Sequence, residues 1–180
     1  MDRRMPGNLK AVFLDRDGTL MKDVGYCSKA AEVELLDGVA ELLPDLKKTG
    51  FKLVVITNQS GIGRGYFAEE AFWAVQHELE KQIGPGVIDA TYFCPDAPDN
   101  ATDRRKPGPG MLFEAARDLG LDLKESYMVG DKAVDAEAGT RAGVRATILL
   151  QVINAENESE SCATMVAQKF REVVELILRG

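Results

Sequence analysis

The sequence predicts an α/β fold, a Rossmann-like three-layer α/β/α sandwich around a mainly parallel sheet. Three observations carry this expectation. Short apolar runs alternate with longer stretches of helical periodicity from one end of the chain to the other. Several of the runs are apolar throughout, the pattern of strands buried on both faces. The polar residues suited to chemistry fall just after these runs, at the carboxyl ends of the expected strands, where open α/β sheets bind ligands.

In chain order, residues 10–14 hold Ala11-Val12-Phe13-Leu14, too short for a helix, and predict a strand ending at Asp15. Residues 38–49 set Val39, Leu42, Leu43 and Leu46 at helical spacing, with Asp37 as the expected N-cap and Gly50 as the stop. Pro44 lies inside and should kink or split this helix, because it removes a backbone donor and crowds the previous turn. Residues 51–57, rich in β-branched side chains, predict the second strand, 69–83 an amphipathic helix and 88–93 the third strand. Residues 110–119 predict a helix opened by Pro109 and closed by Gly120. A short strand over 127–129 stops at Gly130-Asp131 and is followed by a helix over 133–142 and a strand over 145–150. A last short strand over 163–167 precedes a helix over 168–178. The polar segment 154–161, with three glutamates, predicts a flexible loop.

At 180 residues and 45% hydrophobic content, the chain suits one globular domain over 1–180. A net charge of −7 argues against nucleic acid as a partner, since such proteins present a basic face. An anionic substrate stays open, because a metal ion and a few local bases can invert the sign within one cleft. No run approaches the roughly 20 apolar residues of a membrane span. Residues 1–10, with Arg3, Arg4 and Pro6, lack the apolar core of a signal peptide. Cys27, Cys94 and Cys162 are odd in number and far apart, which predicts reduced thiols. The expectation is a cytoplasmic monomer without membrane or nucleic-acid partners.

Asp15 and Asp17 end the first strand two residues apart, so they point the same way, roughly 6–7 Å apart along extended chain. A lone Asp-x-Asp would read as a turn cap beside a solvated carboxylate. Behind an apolar strand the pair instead suits a divalent cation, and aspartate oxygens suit magnesium. Gly18 lets the chain turn away sharply. One aspartate can attack phosphorus and form an acyl phosphate. The other can protonate the leaving alkoxide and later deprotonate water. Thr57-Asn58-Gln59-Ser60-Gly61 leaves the second strand and offers a hydroxyl and free N–H groups to phosphoryl oxygens, though an ordinary polar turn fits as well. Lys106 would act as a point charge on a phosphoryl group, the plain alternative being a surface lysine. Asp131 is a remaining anionic ligand or a helix N-cap. Asp135, one turn on, could orient Lys132 or a metal-bound water.

Four ordered motifs now stand together: Asp15-Arg16-Asp17-Gly18-Thr19, Thr57 to Gly61, Arg105-Lys106-Pro107 and Val129-Gly130-Asp131-Lys132. In that order they resemble the haloacid dehalogenase superfamily over roughly residues 9 to 150, and most resemble its phosphatases of heptose bisphosphate and of histidinol phosphate. Gly25-Tyr26, the run to Gly65 and Lys106 to Met111 add to the likeness. The resemblance implies Asp15 as nucleophile, Asp17 as general acid/base, and Thr57 and Lys106 as phosphoryl holders. It implies Mg2+ on the Asp15 carboxylate, the Asp17 carbonyl and Asp131. It also implies substrate contacts from Asp23, Gly25, Tyr26, Asn58, Gln59, Ser60, Arg64, Arg105 and Lys132.

Phosphatases of this kind commonly carry a zinc loop with Cys-x-His at its start and Cys-x-Cys before Arg-Lys-Pro. Here that stretch begins Cys94-Pro95-Asp96 and ends Thr102-Asp103-Arg104, so no structural zinc is expected and Cys94 reads as a small buried hydrophobe. His77, the sole histidine, reads as a surface or satisfied residue of the 69–83 helix. The spacing between motifs leaves no room for a cap domain. A capless site is expected, with specificity in loops 22–28, 59–66 and 94–105. Arg64, Arg104 and Arg105 would suit a second phosphate, which favours a sugar bisphosphate over histidinol phosphate. A non-catalytic phosphosugar-binding protein on the same fold is the reading from another class.

Overall fold

The structure is a computed structural model and describes residues 9–151 and 162–180. The loop expected over 154–161 lies outside the described residues. Six strands form one sheet: β1 (Ala11–Leu14), β2 (Lys52–Asn58), β3 (Ala90–Cys94), β4 (Tyr127–Gly130), β5 (Ala146–Leu150) and β6 (Met165–Ala167). Their order is β3-β2-β1-β4-β5-β6 and every pairing is parallel. The helices are α1 (Val39–Lys48), α2 (Ser60–Gly63), α3 (Glu69–Ile83), α4 (Gly110–Leu119), α5 (Ala133–Ala142) and α6 (Phe170–Arg179).

The uniform apolarity of β1 follows from its central place. Val12 and Leu14 face one core layer with Leu43 of α1, Leu79 of α3 and Val173 of α6. Ala11 and Phe13 face the other layer, with Leu112 of α4 and Ala138 of α5. Period-2 alternation therefore sends successive residues into two different apolar layers, which is why no polar face shows.

Three details differ from the sequence expectation. Pro44 does not split α1, one of the two outcomes expected of it. The carbonyl that loses its donor belongs to exposed Ala40, where solvent can replace it. The cap of α1 is Gly38, at φ 85 in the left-handed region, and not Asp37. A short helix, α2, occupies part of the loop after β2, where two glycines in four residues argue against one. No helix of the described residues is long and apolar enough to cross a membrane.

This order places the ends of β2, β1 and β4 side by side. The chain moves outward from β1 to β2 and β3, then returns to the other side of β1 with β4. The reversal opens a crevice at the carboxyl end of β1, the position where doubly wound sheets bind ligands.

Close packing behind that edge makes one stability test. Gly139 of α5 lies so near the sheet that a Cβ there would stand 2.6 Å from Met128 Cβ and 2.8 Å from Thr147 Cγ2. Gly139→Ala gains about 1 kcal/mol of helix propensity but overpacks the layer by about 1–3 kcal/mol. The expected outcome in urea unfolding is a lower midpoint, and a raised midpoint would show that α5 can move off the sheet.

Candidate active site

Asp15 leaves β1 with its N–H donated to the Val129 carbonyl at 2.9 Å, extending the ladder to β4 by one residue. Thr57 stands near the end of β2, and Asp131 follows β4 directly. Lys106 comes from the loop before α4, 48 positions from Asn58, yet the two are clamped together. Asn58 Nδ2 donates to the Lys106 carbonyl and the Lys106 N–H donates to Asn58 Oδ1, both at 3.0 Å. The Asn58 amide thus does for Lys106 what a neighbouring strand would do.

The Lys106 ammonium is 3% exposed and meets three oxygens: Asp15 Oδ1 at 2.8 Å, Asp135 Oδ1 at 2.6 Å and the Ile56 carbonyl at 2.8 Å. Its three donors match three acceptors. Burial alone would lower its pKa, but the Asp135 and Asp15 carboxylates outweigh burial and raise it. Asp135 also accepts from the Lys132 N–H at 3.0 Å. Asp135 therefore joins Lys106 to the start of α5, a link the sequence did not suggest.

One carboxylate oxygen from each of Asp15, Asp131 and Asp135 lies within 4.8 Å of the others. Gly18, at φ 87, makes this approach possible: a Cβ there would stand 2.3 Å from Asp131 Oδ2. Burial and the Asp15 charge, opposed by Lys132 and reinforced by Asp135, push the Asp131 pKa up to about 8. Such a cluster calls for a positive charge among its oxygens, and a set of hard oxygens suits magnesium better than the sulfur and imidazole sites of zinc. The residues present fit a magnesium ion. Cys94, at the end of β3, is buried and belongs to no such cluster among the described residues. His77 is exposed and stacks on Trp73.

The Asp17 carboxylate is not part of the acidic cluster. Arg16 holds it through Nε to Oδ2 at 3.1 Å and Nη2 to Oδ1 at 3.2 Å, and Gln59 Nε2 donates to Oδ2 at 2.8 Å. The same Gln59 nitrogen donates to Thr57 Oγ1 at 2.9 Å, so the Thr57 hydroxyl keeps its own proton to give elsewhere. Burial pushes the Asp17 pKa up, Arg16 and Gln59 pull it down, Asp15 pushes it up again, and the net shift is upward. A carboxyl group that holds a proton more tightly than usual is suited to donate one.

A cleft of about 220 Å3 opens beside Asp17, lined by Asp23, Gly25, Tyr26, Asn58, Gln59, Ser60 and Lys132. Asp23 and Lys132 pair across it at 3.0 Å. Two of the predicted substrate contacts do not line this cleft. Arg105 gives Nη1 to the Asp96 carbonyl at 2.7 Å, and Arg64 is exposed at the end of α2, with no side-chain partner among the described residues. Arg104 is paired with Glu114 at 2.8 Å.

A family model, haloacid dehalogenase-like hydrolase, matches residues 22–143. The chain belongs to the haloacid dehalogenase-like hydrolases. Among relatives of this hydrolase, D-glycero-beta-D-manno-heptose-1,7-bisphosphate 7-phosphatase from Photorhabdus laumondii is 38% identical, over 96% of this chain and 97% of its own length. The D-glycero-alpha-D-manno-heptose-1,7-bisphosphate 7-phosphatase from Burkholderia mallei is also 38% identical, over 92% of each. A crystal structure of D,D-heptose 1,7-bisphosphate phosphatase from B. bronchiseptica, complexed with magnesium and phosphate, aligns with a TM-score of 0.84 at 31% identity. That alignment covers 95% of this chain and 99% of the other.

Sequence reasoning passed over Arg16 in this hydrolase. Its guanidinium is fully buried, braces Asp17 and lies 5.1 Å over the Phe72 ring. The available signal was strand alternation, which turns the middle residue of Asp15-Arg16-Asp17 away from its neighbours. Arginine is so seldom fully buried that this signal carries little weight alone.

The acidic cluster also dictates a pH dependence. An aspartate with a folded pKa of about 8 and an unfolded value of 3.8 binds more protons folded than unfolded between those limits. Stability is then present at low pH and lost as pH rises from about 4 towards 8. Asp131→Asn removes that penalty. With EDTA present at pH 8, the variant should exceed the parent by on the order of 1–3 kcal/mol in urea unfolding, and the two should converge near pH 4. A variant weaker than the parent at pH 8 would show that the Asp131 charge stabilises the fold.

Proposed function

We propose that this hydrolase is a magnesium-dependent phosphomonoesterase that removes the 7-phosphate of D-glycero-D-manno-heptose 1,7-bisphosphate through an aspartyl-phosphate on Asp15. The observation that carries this reading is the fixed Asp15 carboxylate. Its Oδ1 is held by Lys106, and it stands at the end of the central strand with Asp17 two residues away.

In the first step an Asp15 carboxylate oxygen attacks phosphorus in line with the ester oxygen. As the P–O bond to the sugar breaks, Asp17 gives its proton to the departing alkoxide. In the second step Asp17, now ionised, takes a proton from water as that water attacks the phosphorus, and the acyl phosphate bond to Asp15 breaks. Thr57 gives its hydroxyl to a phosphoryl oxygen, Lys106 acts on the phosphoryl group through its positive charge beside Asp15, and Gln59 keeps Thr57 and Asp17 aligned. The ion would be held by the carboxylates of Asp15 and Asp131 and the Asp17 carbonyl, and would neutralise charge on the phosphoryl oxygens. Asp135 sets the position of Lys106.

The activity for which relatives covering nearly all of this chain are named supports the sugar bisphosphate. The two anomers occur among those relatives at the same identity, so the proposal extends to both. Arg64 supports it independently, as a cation without a protein partner among the described residues, on a loop beside the cleft. Asp23, Gly25, Tyr26, Asn58, Gln59, Ser60 and Lys132, which line the cleft, would border the organic part of the substrate, and Arg105 would reach it only by leaving the Asp96 carbonyl.

Asp15→Asn should abolish turnover while far-ultraviolet circular dichroism stays unchanged, because an amide oxygen is a poor nucleophile of the same size. Near-normal rates for that variant would rule out the covalent route. EDTA should stop hydrolysis of every ester and added Mg2+ should restore it. A panel of both heptose bisphosphate anomers, histidinol phosphate and acetyl phosphate then reads the substrate, and a higher kcat/KM for histidinol phosphate would replace the sugar bisphosphate. Arg64→Ala should lower kcat/KM for the bisphosphate by roughly ten- to a hundredfold and spare acetyl phosphate. Equal losses on both would place Arg64 at the reacting phosphate.

A further inference from the structure

Tyr26, at the cleft, packs against a second exposed ring, Tyr66, on another loop, and neither takes part in the phosphoryl-transfer steps above. Tyr26 lines the cleft from the loop after β1, and Tyr66 follows α2. Their rings meet edge to face, with centroids 4.9 Å apart and planes at 88°. Tyr26 is 52% exposed and Tyr66 61%, so the pair contributes little to the core. No hydroxyl of either phenol bonds to a described residue.

The backbone is shaped to keep them there. Tyr26 has φ 49, the one non-glycine residue at positive φ among those described. Bulky side chains rarely adopt that region, and such strain tends to gather at ligand sites. Gly25 before it has φ 67 and donates its N–H to Asp23 Oδ1 at 3.0 Å, which fixes the turn. Across the gap, a Cβ on Gly61 would stand 2.9 Å from Tyr26 Cδ1 and 2.3 Å from Phe67 Cε1. Tyr66 is tied to the same glycine by its N–H on the Gly61 carbonyl at 2.8 Å. One glycine therefore seats both rings.

An open site must grip the organic part of its substrate with what its rim offers. Apart from Gly25, Cys27 and Gly61, the rest of the cleft lining is polar, with Asp17, Asp23 and Lys132 charged. The Tyr26–Tyr66 corner is an apolar surface with two free hydroxyls beside it. That combination matches a polyhydroxylated ring, which shows C–H groups on one face and hydroxyls at its edge.

We propose that the Tyr26–Tyr66 corner receives the sugar ring of the substrate, and that Tyr66 is a specificity-determining residue for ring-bearing sugar phosphates. The proposal rests on the phosphatase reading above and assigns the part of the site that reads the carbon skeleton.

The test compares a sugar phosphate with a phosphate that has no ring and no hydroxyl. Tyr66→Ala should lower kcat/KM for heptose 1,7-bisphosphate roughly tenfold, chiefly through KM, and leave acetyl phosphate hydrolysis unchanged. Tyr66→Phe, which keeps the ring, should retain activity on the bisphosphate within about threefold. Unchanged thermal unfolding of both variants should accompany this, since Tyr66 is exposed. Any of three results would overturn the proposal: no loss on the bisphosphate, an equal loss on acetyl phosphate, or Phe failing as badly as Ala. A parent enzyme that hydrolyses acetyl phosphate but no sugar phosphate also overturns it, together with the sugar-bisphosphate assignment, while leaving the aspartyl-phosphate chemistry intact. Failure to hydrolyse any phosphate would instead remove that reading and this proposal with it.

Discussion

Lys106 carries an ammonium group to a place that solvent scarcely reaches, and Asp15, Asp135 and the Ile56 carbonyl surround it. An ammonium buried alone would lose its proton, because desolvation penalises the charged form. Two carboxylates reverse that outcome. The arrangement needs Asp15 at the end of β1, Ile56 inside β2 and Asp135 in α5, so it samples the register of the central sheet and the seating of a helix together. Asn58 sets the height of Lys106 through two backbone bonds. A shift of any one of these elements would leave a charge buried without its partner, which typically costs about 3–5 kcal/mol.

Charge balance at this edge is uneven. Three carboxylates face one another near a single fully buried ammonium, and Lys132 sits at the rim, half exposed. Burial first, and then the neighbouring Asp15 charge, raise the pKa values of Asp131 and Asp135. A site of this kind is preorganised for cationic and phosphoryl partners at the expense of its own stability. Gly18 shows the same priority in the backbone, since only a residue without Cβ lets Asp131 come so close to the β1 loop.

The layered fold was legible because β1 and the middle of β2, Leu53 to Ile56, are apolar throughout, and the long helices carry apolar stripes. The four motifs were legible because parallel topology brings every strand end to one edge, so residues 15, 57 and 131 converge without any long-range knowledge. Other features were hidden for stated reasons. α2 contains two glycines in four residues, and its formation depends on the bonds around it: the Gly63 N–H reaches the Pro95 carbonyl at 3.1 Å. The bond from Lys106 to Asp135 and the clamp from Asn58 to Lys106 join distant positions, which no local pattern encodes. Arg16 was hidden because burial of a guanidinium contradicts ordinary composition rules. Pro44 leaves α1 unsplit because the carbonyl it orphans, that of exposed Ala40, is open to solvent.

In the proposed mechanism, Asp15 is the nucleophile that meets phosphorus. Mixing the protein with heptose 1,7-bisphosphate and Mg2+, quenching in acid within milliseconds and reducing with borohydride would convert an aspartyl phosphate to homoserine. Peptide mapping by mass spectrometry would then locate it. The proposed mechanism predicts homoserine at position 15, formed only with substrate and Mg2+ present. Hydrolysis at full rate with unmodified Asp15, or homoserine at another aspartate, would contradict the assignment of the nucleophile.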